Sequence, residues 1–353
     1  MLFIDLILSD EEKKLYALQE IDHILRRNGR SLTYYKTMPQ VPRDPRFDTN
    51  VLILDERGYD RDNLTEKHAK WIKMLTLEQK SIYDDINGAV NENVGGVFFV
   101  YGFGGTDKTF LWKTLTTSSG IASLLLEGGR TTHSRFGIPL NPIEFTTCNM
   151  KAGSDRTNLV KEASLIIWDE APMMSRHCFE SLDRSLSDIC GNGDNKLFGD
   201  KVVVFGGDFR QVLPEIPGAD RVDIVMYALN SSYLWCHCKV LTLTKNMRLY
   251  SEGLSDSEAE DIKEFSKWIL AVGDGRIVEP NDGEALIVIP SEFLITKAKD
   301  PIEAICTEIY GDITKIHEQN DPIFFQEKAI LCPTNEDVNQ INEIMLDNLQ
   351  GYY

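Results

Sequence analysis

Residues 102–109 read Gly102-Phe103-Gly104-Gly105-Thr106-Asp107-Lys108-Thr109. Glycines bare the backbone amides, the lysine adds a positive charge, and the threonine adds a hydroxyl. Such a turn, opening onto a helix N-terminus, makes a cradle for phosphate oxygens. The usual spacing is G-x-x-x-x-G-K-[ST]. Gly102 fills the first position and Lys108-Thr109 the last two, but the sixth position is Asp107. Further on, Asp169 and Glu170 set two carboxylates side by side. Next to a phosphate cradle, Asp169 can hold Mg²⁺ and Glu170 can orient and deprotonate an attacking water. Gln211, closing Gly206-Gly207-Asp208-Phe209-Arg210-Gln211, is placed to sense a γ-phosphate, with Asp208 supporting it or the metal. Arg248 reads either as a phosphate clamp or as a surface cation. Gln79 pairs a donor with an acceptor, which suits the edge of an adenine.

These residues are far apart in sequence, so a scaffold must gather them. Val97–Tyr101, Ser164–Trp168 and Lys201–Phe205 are runs of β-branched, aromatic and other apolar residues that predict buried strands, and Val240–Thr244 predicts a fourth strand. Polar residues follow each run. Ligands of open parallel sheets bind at those carboxyl ends. Thr76 is placed to cap a helix with Ile82 and Ile86 on its apolar side. Ser9-Asp10-Glu11-Glu12 opens an earlier helix, with apolar residues from Leu15 to Leu25 at helical spacing. Residues 35–65 read as an irregular connection. Ile262–Leu270 and Glu336–Leu349 predict helices, and 285–290 and 328–332 predict strands.

Two stretches are less regular. After Thr109 the helical pattern runs out within about eight residues, and no clear second strand follows. A parallel crossover normally takes a dozen residues or more, so the interval between Thr109 and Gly120 is short. Residues 130–139 interleave cations with an aromatic, so His133, Ser134, Arg135 and Phe136 are candidates for contact with a nucleic-acid backbone and base. His133 alone reads more readily as a structural histidine.

Composition narrows the class. The chain has 353 residues, 42% hydrophobic and 26% charged, which is ample for more than one globular core. Its net charge of −18 leaves no whole-chain basic footprint for nucleic acid, though a local groove remains compatible with it. The seven cysteines are irregularly spaced and suggest thiols rather than a disulfide framework. Cys236-His237-Cys238 lacks a matching half-site for zinc. No apolar run is long enough to span a bilayer, and the first residues do not read as a signal peptide.

Taken in order, residues 102–109, 169–170 and 207–211 describe a RecA-like phosphoanhydride site. The wording is more specific. Gly102–Phe110, Leu165–Met174, Gly206–Gln211 and Leu243–Leu249 closely resemble the Pif family of superfamily-one DNA helicases, nearest the branch related to rolling-circle transposon helicases. Thr132–Pro139 and Pro333–Ile341 fit as well. The resemblance implies an α/β fold: a RecA-like P-loop NTPase parallel sheet with a helical N-terminal extension and an incomplete second domain. It implies an extension over 1–74, an ATP-site domain over 75–250, a connecting region over 251–328, and the start of a second RecA-like domain over 329–353.

For activity, the resemblance implies ATP-driven 5'-to-3' unwinding of DNA with Mg²⁺, and roles in DNA repair, recombination and telomere maintenance. The expected partners are single-stranded and duplex DNA and ATP, with no membrane. The expected compartment is the nucleus, or else the mitochondrion. By position, Gln79 would contact adenine, residues 102–109 the phosphates, Thr109 and Asp169 the metal, and Glu170 the water. Gln211 would couple the γ-phosphate to DNA, and Arg248 would approach that phosphate. Three departures predict weak or absent unwinding, the alternative being an inactive nucleotide- or DNA-binding remnant. Asp107 aims a carboxylate at phosphate, a repulsion of about 4 kcal/mol at 4 Å and an effective dielectric near 20, before Lys108 and Mg²⁺ offset it. The short crossover threatens to remove a central strand. The later motifs, including an arginine from the second domain, have no counterpart.

Overall fold

Alternate residues of three adjacent strands feed two separate cores, and that alternation builds the scaffold. Val97 and Phe99, Ile166 and Trp168, and Val203 and Phe205 pack into one core with Phe179, Leu182 and Leu186. Phe98 and Val100, Leu165 and Ile167, and Val202 and Val204 pack into the other, with Ile82, Ile86, Leu111, Trp112 and Leu115. A sheet covered on both faces needs strands that are apolar on both sides. This is why these segments read as continuous apolar runs.

The computed structural model describes residues 10–27, 30–40, 50, 52–53, 60–119, 131–191, 196–216, 218–250, 253–276, 287–296, 298, 300–319, 321–332 and 334–349. It divides into two compact units, Met1–Arg276 and Ile277–Tyr353. In the first unit, helices α1 (Asp10–Arg27), α2 (Arg61–Trp71) and α3 (Leu77–Glu92) precede strand β1 (Gly96–Gly102). Then come α4 (Lys108–Ser119), a short α5 (Thr132–Phe136), α6 (Asp155–Glu162), β2 (Leu165–Trp168) and α7 (Arg176–Cys190). Strand β3 (Val202–Gly207), α8 (Arg221–Tyr227), β4 (Cys238–Leu243) and α9 (Asp256–Gly273) complete it. Ser9, the expected start of the first capping box, lies outside the described residues, as do 120–130 and 285–286.

The sheet order is β2-β3-β1-β4, and every pairing is parallel. The fear of a missing central strand is therefore not met. β1 pairs with β3 on one side and β4 on the other, and β3 pairs with β2 and β1. Among the described residues, β2 is an edge strand. The short interval between Thr109 and Gly120 thus leaves the middle of the sheet paired. Helix α4 also continues further than its sequence pattern suggested, because Leu111, Trp112 and Leu115 are buried against the strands.

The second unit is helical: α10 (Pro301–Tyr310), α11 (Pro322–Gln326) and α12 (Asn335–Asn348), with a 3₁₀ turn over Ile313–Glu318. Cys306, Ile313 and Ile316 are its buried residues. The strands expected at 285–290 and 328–332 are not found among the described residues. Leu331 is 95% exposed. A β-prone run needs a neighbouring strand to satisfy its amides and carbonyls, and no described segment of this unit supplies one. No described helix is long and apolar enough to cross a membrane.

Candidate functional site

At the carboxyl ends of β1 and β2 lies a cleft of about 440 Å³. Its walls come from Phe103, Gly104, Gly105, Asp107, Lys108 and Thr109 on one side, and Asp169, Glu170 and Gln211 on another. Met247 and Arg248 close the third. Four segments of the chain, separated by up to 145 positions between Phe103 and Arg248, thus meet at one crevice.

The loop is held in shape by its own backbone and by two neighbours. Lys108, buried, donates from Nζ to the Gly102 carbonyl at 2.6 Å. The Thr106 hydroxyl donates to the Phe103 carbonyl at 3.0 Å. The Met247 amide donates to the Gly105 carbonyl at 2.7 Å, which ties the loop to the segment after β4. Gly105 has φ +99°, and a Cβ there would lie 2.7 Å from Asn246 Oδ1, so only glycine suits this point. Asn246 also donates to Ser266 on α9 at 3.2 Å. Asn246 and Met247 lie within the motif Leu243–Leu249, but no role was read for them individually, since it depends on a contact across about 140 residues.

Asp107 adopts φ +61°, the left-handed region. That is why glycine is usual at this position. Aspartate is among the residues that enter it at modest cost. Its carbonyl accepts from the Phe110 and Leu111 amides at 3.1 and 3.3 Å, opening α4, while its side chain stays exposed at the cleft. The backbone of the loop is thus kept despite the substitution, and only the added charge remains unusual.

Opposite the loop, two acidic side chains have buried oxygens with no hydrogen-bond partner, Asp169 Oδ1 and Glu170 Oε2. Burial, then the neighbouring Asp169, push the Glu170 carboxyl above its ordinary range; Lys108 opposes this and Asp208 adds to it. Unsatisfied buried carboxylate oxygens are rare and call for a cation or ordered water. The donor set here is hard oxygen, from Asp169 and the hydroxyl of Thr109, and no described cluster holds three or more His, Cys, Asp or Glu ligands. Such a set fits a magnesium ion that keeps most of its ligands from phosphate and water.

A family model for PIF1-like helicases matches residues 74–283. The chain belongs to the PIF1-like helicase family. Among solved structures, Pif1 helicase from Bacteroides, in complex with ADP-AlF3 and ssDNA, matches at 19% identity with a TM-score of 0.50, over 79% of this chain and 58% of that one. Pif1 helicase from Candida albicans matches at 19% identity with a TM-score of 0.42, over 59% of this chain and 45% of that one. The chain therefore spans about half the length of the Pif1 structures it matches. No curated protein matches it. The PIF1-like fold is α/β and RecA-like, as the four-stranded parallel sheet requires.

Within this PIF1-like frame, two expected sites are placed differently. Gln79 is 1% exposed and does not line the cleft. Its Oε1 accepts from the Thr76 amide at 3.1 Å, and its Nε2 donates to the Thr106 carbonyl at 3.2 Å. The first bond is half of a capping box, so the amide expected to read adenine is engaged in holding α3 to the loop. The second correction concerns Phe136. Phe136 is buried and stacks on Trp168, centroids 6.3 Å apart at 22°, so it is a core residue with no face free for a base. The Ser134 carbonyl accepts from Arg156 at 3.1 Å. His133 and Arg135 are half-buried on the five-residue helix α5, outside the cleft. Burial sets Phe136 apart from the other three, of which Ser134 is exposed.

Proposed function

We propose that this chain binds ATP in the cleft between 103–109 and 169–170 and hydrolyses it, as the motor part of a 5'-to-3' DNA helicase. The observation that carries this reading is the meeting of Lys108, Thr109, Asp169, Glu170, Gln211 and Arg248 around one crevice. The loop amides would hold the phosphates. Lys108 would leave the Gly102 carbonyl for the β- and γ-phosphates. Asp169 and Thr109 would hold Mg²⁺, which when bound neutralises charge on the transferred phosphoryl group. Glu170, its proton affinity raised by its surroundings, would take the proton of the attacking water. Gln211 and Arg248 would face the γ-phosphate. DNA as the track is supported by membership of the PIF1-like helicase family, and the 5'-to-3' direction is part of the proposal, resting on the resemblance of the motifs.

The test is ATP hydrolysis by the chain with and without single-stranded DNA, beside Lys108→Ala. DNA-stimulated turnover that Lys108→Ala abolishes is expected. Equal rates in the two proteins would defeat the proposal.

A second reading, a nucleotide-binding remnant with little turnover, is favoured by one observation: the Asp107 carboxylate is exposed on the cleft wall. Because φ at this residue already suits glycine, Asp107→Gly removes only the charge and the strained Cβ. ATP affinity is expected to rise by roughly tenfold or more at low ionic strength, about half of the repulsion given above, and by less at high salt. Equilibrium titration with ATP checks this. An affinity that does not move would show that the carboxylate is turned away from the phosphates.

A further inference from the structure

Arg210 is the neighbour of Gln211 in sequence but not on the cleft wall. It points to the end of α9. Its Nε donates to Asp274, whose second oxygen accepts from Arg276. Its Nη1 lies 3.7 Å from Asp208 Oδ1, and its guanidinium carbon sits 5.3 Å from the centre of the Tyr101 ring. The Arg210 side chain also lies close against Gly273. A Cβ on Gly273 would lie 2.9 Å from the Arg210 Cβ, so the last turn of α9 presses directly on this residue. The turn that carries Gln211 is closed by the same carboxylate. Asp208 accepts the Arg210 amide on Oδ1 at 3.1 Å, and its carbonyl accepts the Gln211 amide at 3.1 Å.

An exposed ion pair would contribute little. Asp274 is itself exposed, so what sets this pair apart is the Arg210 side: the planar guanidinium packs on the Tyr101 ring, with Nη1 buried and without a hydrogen-bond partner 3.7 Å from Asp208. Burial works against the Arg210 cation, but Asp274, Tyr101 and Asp208 outweigh it, and its proton affinity ends above the ordinary value.

We propose that Asp274 is a positioning residue for Gln211: by holding Arg210 away from the cleft, it fixes the turn 208–211 so that the Gln211 side chain faces the nucleotide. The claim rests on the nucleotide reading of the cleft and extends it to the end of α9. It gives α9 a part in sensing the γ-phosphate without touching it. Lysine at 210 would keep the charge but lose the planar guanidinium that donates to Asp274 and lies on the Tyr101 ring.

The experiment measures equilibrium binding of ADP, and of ADP with Mg²⁺ and aluminium fluoride, to the full chain. The proteins are the unaltered chain, Gln211→Ala, Asp274→Asn, Arg210→Lys, and Asp274→Asn combined with Gln211→Ala. Expected are unchanged ADP affinities in Asp274→Asn and Arg210→Lys, and a loss of roughly fivefold or more in affinity for the fluoride complex in every variant. The double variant is expected to be no weaker than Gln211→Ala alone, since both changes remove one contact. Amide exchange across 206–213 is expected to quicken in Asp274→Asn, with 97–102 unchanged. If the unaltered chain and Asp274→Asn discriminate equally while Gln211→Ala does not, the positioning role fails and the nucleotide reading stands. If the unaltered chain does not discriminate at all, both fail. Should Asp274→Asn not fold, Arg210→Lys decides between the same two outcomes.

Discussion

Glu170→Gln is expected to lower ATP turnover by roughly 10²–10⁴-fold, the usual contribution of a positioned base, while ATP binding is kept. Glutamine has the same shape, holds the same backbone at φ +51° and cannot accept the proton. The same substitution has a second signature, in stability. The Glu170 carboxyl is raised above the ordinary 4.5 by burial and by Asp169. The folded chain therefore binds this proton more tightly than the unfolded chain. Its contribution favours folding below about 4.5 and is lost as pH rises through the raised value. Above that window the full cost of an ionised, half-buried carboxylate is present. Glu170→Gln is thus expected to melt above the parent chain near neutral pH, with the difference closing as the pH is brought down to 4.5. Melting curves at several pH values, together with single-turnover hydrolysis, check both halves. Unchanged turnover would remove Glu170 from the chemistry.

Phe136→Ala is expected to destabilise the first unit by about 3–5 kcal/mol. Phe136 is 8% exposed and lies on Trp168, which in turn meets Phe179 at 4.5 Å and Phe205 at 6.2 Å. Removing the ring opens a void beside β2, a strand with a single described neighbour and little means of closing it. Phe136→Leu, which keeps most of the volume, is expected to cost less than half as much. Denaturant unfolding of the three proteins settles the order. A Phe136→Ala chain of undiminished stability but weakened affinity for single-stranded DNA would return this residue to the nucleic-acid contact that its sequence neighbours suggested.

The sheet and the cleft were legible for the same reason. Strands buried on both faces leave continuous apolar runs, and a site at their carboxyl ends leaves Asp169-Glu170 and Asp208–Gln211 directly after the runs. Gln79 was legible too, in another sense: Thr76-x-x-Gln79 has the spacing of a capping box, and that pattern already occupies the amide. Phe136 was not, since a ring beside cations looks alike whether it faces solvent or Trp168. Residues 328–332 have the composition of a strand, and nothing local reveals that no partner lies beside them. Asn246 and Met247 sit in a motif that was read, yet their contacts, like those of Asp274, are with segments far away in sequence, where no periodicity reports on them.

The order of the strands also governs when this protein can form during its synthesis. The loop-bearing strand has no early neighbour: Gly96 is matched with Val202, and Val97 with Cys238. A ribosome must therefore release more than a hundred further residues before β1 gains its first pairing, and longer before its second. Chains of such high contact order fold slowly and leave apolar edges open meanwhile. A nascent chain halted before Val202 is expected to be digested readily by protease across 96–102, and one released past Leu243 to resist. The phosphate loop, although written early in the sequence, would be among the last parts of this unit to acquire its shape.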